Sequence, residues 1–148
     1  MAWLSEADQD LWRRLLVVEC KLRDCLDHEL RELHGISLGD YDVLVHLAEA
    51  AGGSLRMSEL ADRVLLSRSG ITRRLDRLIT GGLVSRLPCV DDRRGALAHI
   101  TDDGRFRLAE AAPTHVAGVR RYLVDPLGGL AGLAPGLDRI EKAVDSAN

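Results

Sequence analysis

The feature that most limits what this chain can fold into is a run of apolar residues at three- and four-residue steps: Leu11, Leu15, Val18, Leu22, Cys25 or Leu26, and Leu30 or Leu33. That spacing lines one face of an α-helix. Ser5 followed by Asp8 is a capping-box start with Asp in place of Glu. Gly35, after His34, is a stop. The helix expected between them is about 30 residues, roughly twice the globular mean. In a chain of 148 residues a helix that long is hard to bury within one subunit. Its apolar face therefore predicts a seam between subunits.

The rest of the chain is ordinary globular material. At 46% hydrophobic and 3% aromatic it can build one domain with an aliphatic core. No apolar run approaches the roughly 20 residues of a membrane helix. The start, MAWLSEADQD, lacks the basic, apolar and small-residue order of a signal peptide. A cytoplasmic protein without a membrane partner is expected. The cysteines Cys20, Cys25 and Cys89 form no CxxC pair, so reduced thiols are expected rather than a disulfide framework. Cys20 and Cys25, five apart on the long helix, point to different sides and sit among Glu19, Asp24 and Asp27. Buried spectator thiols are the expectation, with a cysteine-based redox sensor as the alternative.

Downstream the pattern shortens. Ser37-Leu-Gly-Asp40 opens a second helix with Tyr41, Leu44, Val45 and Leu47 apolar, ending at Gly52-Gly53. Residues 58–64 make a short third helix. Ser67 is an N-cap for a fourth, which runs through RSGITRRLDRLIT to Gly81-Gly82. Residues 83–87 and 96–101 read as strands flanking VDDRRG at 90–95. A fifth helix begins at Asp102-Asp103-Gly104 and is expected to bend at Pro113. Pro126 and GGLAGLAPG mark a loop, and residues 137–144 a last amphipathic helix.

Helix, tight turn, helix and β-hairpin is the order of a winged helix-turn-helix. The expected fold is thus mainly α with a small β-hairpin wing. In the fourth helix Ile71, Leu75, Leu78 and Ile79 share an inward face. Opposite stand Ser69, Thr72, Arg73, Asp76 and Arg77, with Arg68 at the N-terminal end. Short hydroxyls and arginines at the start of such a helix suit base edges, and further arginines suit phosphates. The whole chain carries −3, yet residues 68–94 hold seven arginines against three aspartates, a local +4. A basic face on an acidic chain points to a polyanionic partner.

The stretch LRMSELADRVLLSRSGITRRLDRLITGGLVSRLPCVDDRRGALAHITDDG resembles the core of the MarR family of bacterial transcriptional regulators. The likeness spans about residues 11–125. The family's wing pattern, Asp-x-Arg-Gly/Ala followed by Leu/Ile-Thr-x-x-Gly, is matched by Asp92-Arg93-Arg94-Gly95 and Ile100-Thr101-Asp102-Asp103-Gly104. Its recognition-helix pattern is matched by Ser67 through Thr72-Arg73. The resemblance implies one MarR-like domain over 1–148. Residues 5–34 and 105–148 would form N- and C-terminal dimerisation helices of a homodimer, and residues 37–101 the winged lobe. The fourth helix would enter the major groove of a palindromic operator in double-stranded DNA. Of the wing, Arg94 would probe the minor groove, Arg93 would lie near phosphate, and Asp92 would orient the hairpin through an arginine rather than touch DNA.

The resemblance also implies a regulatory crevice between the dimer helices and the DNA-binding lobe, for a phenolic or other small aromatic effector that releases a repressor from its operator. Trp12, Arg13, His28, Tyr41 and His46 are its candidate lining residues, although Trp12 and Tyr41 equally suit a core or interface. No P-loop, GxSxG, HExxH or dinucleotide fingerprint is present, and the histidines at 28, 34, 46, 99 and 115 show no metal spacing. Neither an enzyme nor a cofactor or metal is expected. A winged-helix interaction protein without DNA binding is the remaining alternative.

Overall fold

In the computed structural model, which describes residues 3–64, 68–88 and 96–147, the caps read from the sequence set the frame. Helix α1 spans Glu6–His34; the Ser5 side chain accepts from the Asp8 amide, and Gly35, at φ 67°, closes the helix with its N–H on the Arg31 carbonyl. Helix α2 (Leu38–Glu49) starts with a full capping box, in which Ser37 and Asp40 each accept from the other's backbone N–H. A 3-10 turn at Ala51–Gly53 leads to strand β1 (Ser54–Arg56). Helix α3 (Met57–Arg63) and helix α4 (Arg68–Thr80) follow.

Strands β2 (Val84–Pro88) and β3 (Ala96–Ile100) form the expected antiparallel hairpin, in register from Val84 opposite Ile100 to Pro88 opposite Ala96. The sheet has a third member that the sequence reading lacks. β1 pairs with the other edge of β3, Leu55 opposite Ala98, giving the order β1-β3-β2. Three residues are too few to show the period-2 alternation by which strands are recognised; β1 exists because β3 offers it an edge.

Helix α5 covers Asp102–Val119 and continues past Pro113; the departure from α geometry comes later, as a π turn at Arg120–Val124. A helical turn α6 (Asp125–Leu127), a 3-10 turn at Ala131–Leu133 and helix α7 (Ala134–Asp145) complete the described chain. Pro126 therefore lies inside a helical turn, and the break follows at Gly128 and Gly129, both at positive φ.

The root of the wing explains the Ile-Thr-x-x-Gly signature. Thr101 caps α5 by accepting from the Gly104 amide at 3.0 Å. Its hydroxyl donates to the Gly82 carbonyl at 2.6 Å, and its own amide donates to the Leu83 carbonyl at 3.1 Å. One threonine thus starts a helix and ties it to the loop after α4. Gly104 lies so close to that loop that a Cβ there would stand 2.1 Å from the Leu83 carbonyl oxygen.

The core sits in the winged lobe. Leu44, Leu47, Leu60, Ile71, Leu75, Val84 and Ile100 are fully buried together, joined by Leu30 from α1 and Ala111 from α5. Of α1 only Leu26 and Leu30 are buried. Leu11, Leu15 and Val18 stand exposed, as do Leu137, Ile140 and Val144 on α7. The two cysteines of α1 correct an expectation: Cys20 and Cys25 are both exposed, because α1 buries only the stripe through Leu26 and Leu30 and both cysteines lie off it.

Candidate nucleic-acid interface

Helix α4 is amphipathic in the expected sense. Ile71, Leu75 and Leu78 are buried and Ile79 half-buried, so the helix is fastened along one stripe. Thr72, Arg73, Asp76 and Arg77 are exposed on the other. Arg68 and Ser69 open the helix in its backbone. Their side chains, and all of Ser67, Cys89, Asp92, Arg93, Arg94 and Gly95, lie outside the described residues. β2 and β3 lead into the charged stretch from either side.

The arginines divide by partner. Arg73 is exposed and forms no ion pair among the described residues. Arg86, on β2, donates to the Asp76 carboxylate at 2.7 Å and so ties the wing strand to α4. Arg77 is 65% exposed, with Nη2 3.6 Å from Asp40 Oδ1. Arg74 turns inward: it is 21% exposed, and its Nη1 donates to Ser37 Oγ and to Asp40 Oδ1, each at 3.0 Å. The local excess of positive charge is therefore not all offered to a partner. The spacing contained this information, since residue 74 falls three after Ile71 and four before Leu78, on the apolar stripe.

The crevice candidates do not converge. A crevice of about 480 Å³ opens between α1, α2 and α5, lined by Leu22, Leu26, Tyr41, Val45, Arg74 and His115 among others. Of the five residues named from the sequence, Tyr41 alone lines it. Trp12 is 53% exposed on the early turns of α1, and Arg13 beside it pairs with Asp10 at 3.4 Å. His28 is exposed, and His46 faces Asp42 at 3.7 Å. His115 is the residue the sequence reading missed. Its ring lies 4.5 Å from that of Tyr41, its Nδ1 is buried without a partner, and burial lowers its pKa, opposed by Asp42. Its place four after buried Ala111 and three before buried Gly118 was the available signal. Arg74 Nε, also on the crevice wall, is likewise buried and unpartnered. Burial also raises the Tyr41 pKa.

Comparison with known proteins fits this geometry. The MarR family model matches residues 34–95. The crystal structure of AbsC, a MarR family transcriptional regulator from Streptomyces coelicolor, superposes with a TM-score of 0.89 at 34% identity, covering 99% of each chain. The chain belongs to the MarR family. A second regulator of the family from Streptomyces coelicolor, Sco3205, solved in complex with DNA, gives a TM-score of 0.91 at 34% identity over 99% of this chain and 91% of that one. The transcriptional repressor YetL of Bacillus subtilis (strain 168) is 30% identical over 106 residues, 72% of this chain. The match spans about three fifths of the length of that repressor, 63%. These relatives are transcriptional regulators, not enzymes. No helix among the described residues is long and apolar enough to cross a membrane.

Proposed function

We propose that this MarR-family chain is a homodimeric, sequence-specific DNA-binding repressor of the cytoplasm. The observation that carries the reading is the outer face of α4, where Thr72, Arg73 and Arg77 are exposed while Ile71, Leu75 and Leu78 anchor the helix. A helix fastened to a winged sheet and offering hydroxyl and guanidinium groups suits the major groove. The DNA complex of the similar Sco3205 supports the same use here. Ser67, Arg68 and Ser69 extend the contact at the start of α4. Arg94 and Arg93 act from the wing on the minor groove and on phosphate, with Asp92 orienting them.

Residues 5–34 and 105–148 form the dimerisation part and residues 37–101 the DNA-binding lobe. The exposed Leu11, Leu15 and Val18 of α1 and Leu137, Ile140 and Val144 of α7 are more apolar surface than a monomer keeps in water, and a second copy covers them. Two-fold symmetry then asks for a palindromic operator. A small aromatic or phenolic effector occupies the crevice against Tyr41, where the unpartnered His115 Nδ1 and Arg74 Nε give its polar end two contacts, and releases the operator.

Selection from a random-sequence duplex library tests the reading. An enriched inverted repeat bound by a dimer is expected; absence of enrichment over the input library refutes it. A thermal-shift screen of small aromatic acids, each hit retested for release of the selected duplex, tests the effector.

A further inference from the structure

We propose that Asp40 acts as an internal stand-in for DNA phosphate, withholding Arg77 from DNA to the extent that Arg74 does not claim its carboxylate. The proposal rests on the reading that Arg77 meets DNA from the outer face of α4.

Asp40 is placed by its helix rather than by DNA. The capping box fixes it from both sides: its amide donates to Ser37 Oγ at 3.0 Å and its Oδ2 accepts from the Ser37 amide at 3.1 Å. That leaves Oδ1 to face α4. There it accepts from Arg74 Nη1 at 3.0 Å and lies 3.6 Å from Arg77 Nη2. One oxygen thus serves two cations of unequal freedom. Arg74 is on the buried stripe of α4 and is further held by Ser37 Oγ at 3.0 Å. Its guanidinium packs over Gly39, where a Cβ would stand 2.4 Å from Nη1. Arg77, 65% exposed, is the arginine of the two that a phosphate can reach.

The looser Arg77 distance shows which partner now dominates. If Arg74 lets go, Oδ1 belongs to Arg77 alone and competes with phosphate for the same guanidinium. If Asp40 loses its charge, Arg77 is released to DNA. Arg74 thereby supports DNA binding without touching DNA, and Asp40 opposes it. A purely structural tie predicts something else, since loss of either partner would then weaken binding alike.

The test measures affinity for the selected duplex by fluorescence anisotropy, with thermal melting in parallel. Arg74→Gln is expected to weaken binding about two- to fivefold, the range of a partly exposed ion pair. Its log–log salt slope should become shallower by about 0.9, one phosphate contact. Asp40→Asn, which keeps an acceptor for the capping box, is expected to tighten binding by a similar factor. The double variant should bind as Asp40→Asn does, because without the carboxylate Arg74 has nothing to withhold from Arg77. Should Arg74→Gln melt too early to assay, Asp40→Asn carries the test alone, tightening binding in the wild-type background and not in Arg77→Gln. Wild-type protein that binds no duplex refutes the DNA-binding reading and this proposal with it. Wild-type protein that binds, with Asp40→Asn weaker than wild type or with no rescue of Arg74→Gln, refutes this proposal alone.

Discussion

Replacing Gly104 by alanine is the sharpest probe of how the wing is rooted. On an open helical surface the change would stabilise, because alanine exceeds glycine in helix propensity by about 1 kcal/mol. Here the added Cβ would lie 2.1 Å from the Leu83 carbonyl oxygen and 2.9 Å from Ile100 Cγ1. A flexible side chain could swing away, but the nearest atom belongs to the backbone and already accepts from the Thr101 amide at 3.1 Å. Relief must come from shifting α5 against the loop after α4. Overpacking of this kind costs about 1–3 kcal/mol, which outweighs the propensity gain over most of that range. For a chain of this size the melting temperature should fall by roughly 2–6 °C. Thermal and urea unfolding followed by circular dichroism reads the variant. A Gly104→Ala protein as stable as wild type would refute the argument that the backbone contact enforces glycine.

Other consequences are as direct. Thr101→Val removes both the α5 cap and the hydroxyl donated to Gly82, and should cost about 1–2 kcal/mol in urea unfolding. Leu15 is exposed in the single chain, so Leu15→Asp should keep the helical spectrum yet elute at monomer mass in light scattering. His115 has its pKa lowered from 6.5 by burial, against the pull of Asp42. A lowered folded value means that the unfolded state takes up the proton first, so stability should decline as pH falls below about 6.5. His115→Gln should flatten that part of the pH–stability curve, and an unchanged curve would contradict the assignment.

What could be read from the sequence follows from how local each signal is. The caps of α1 and α2 need only a hydroxyl or carboxylate within three residues, and Ser5, Ser37 and Gly35 were legible for that reason. The inward stripe of α4 was legible because 3.6-residue periodicity is also local. β1 was not, since its hydrogen bonds come from β3, more than forty positions away in register (Ser54 opposite His99). The place of Arg74 on the apolar stripe was legible, whereas its partner Asp40 stands in another helix; composition counted the charge of Arg74 and could not see it neutralised. The crevice was harder still. Tyr41, named from the sequence, lines it, whereas His115 joins Tyr41 only when α5 is laid across α2. Trp12, Arg13, His28 and His46 were chosen by residue type and lie elsewhere.

Whether the outer face of α4 binds DNA is decided by the salt dependence of affinity. Wild type and Arg73→Ala, compared by anisotropy on the selected duplex over a range of salt, separate phosphate contact from a solvated surface arginine. Wild type should show a steep negative log–log slope. Arg73→Ala should bind more weakly, by about 1–3 kcal/mol if Arg73 reads a base or with a slope shallower by about 0.9 if it meets phosphate, and its melting temperature should be unchanged. Equal affinity and equal slope in the two proteins would contradict DNA binding by this face.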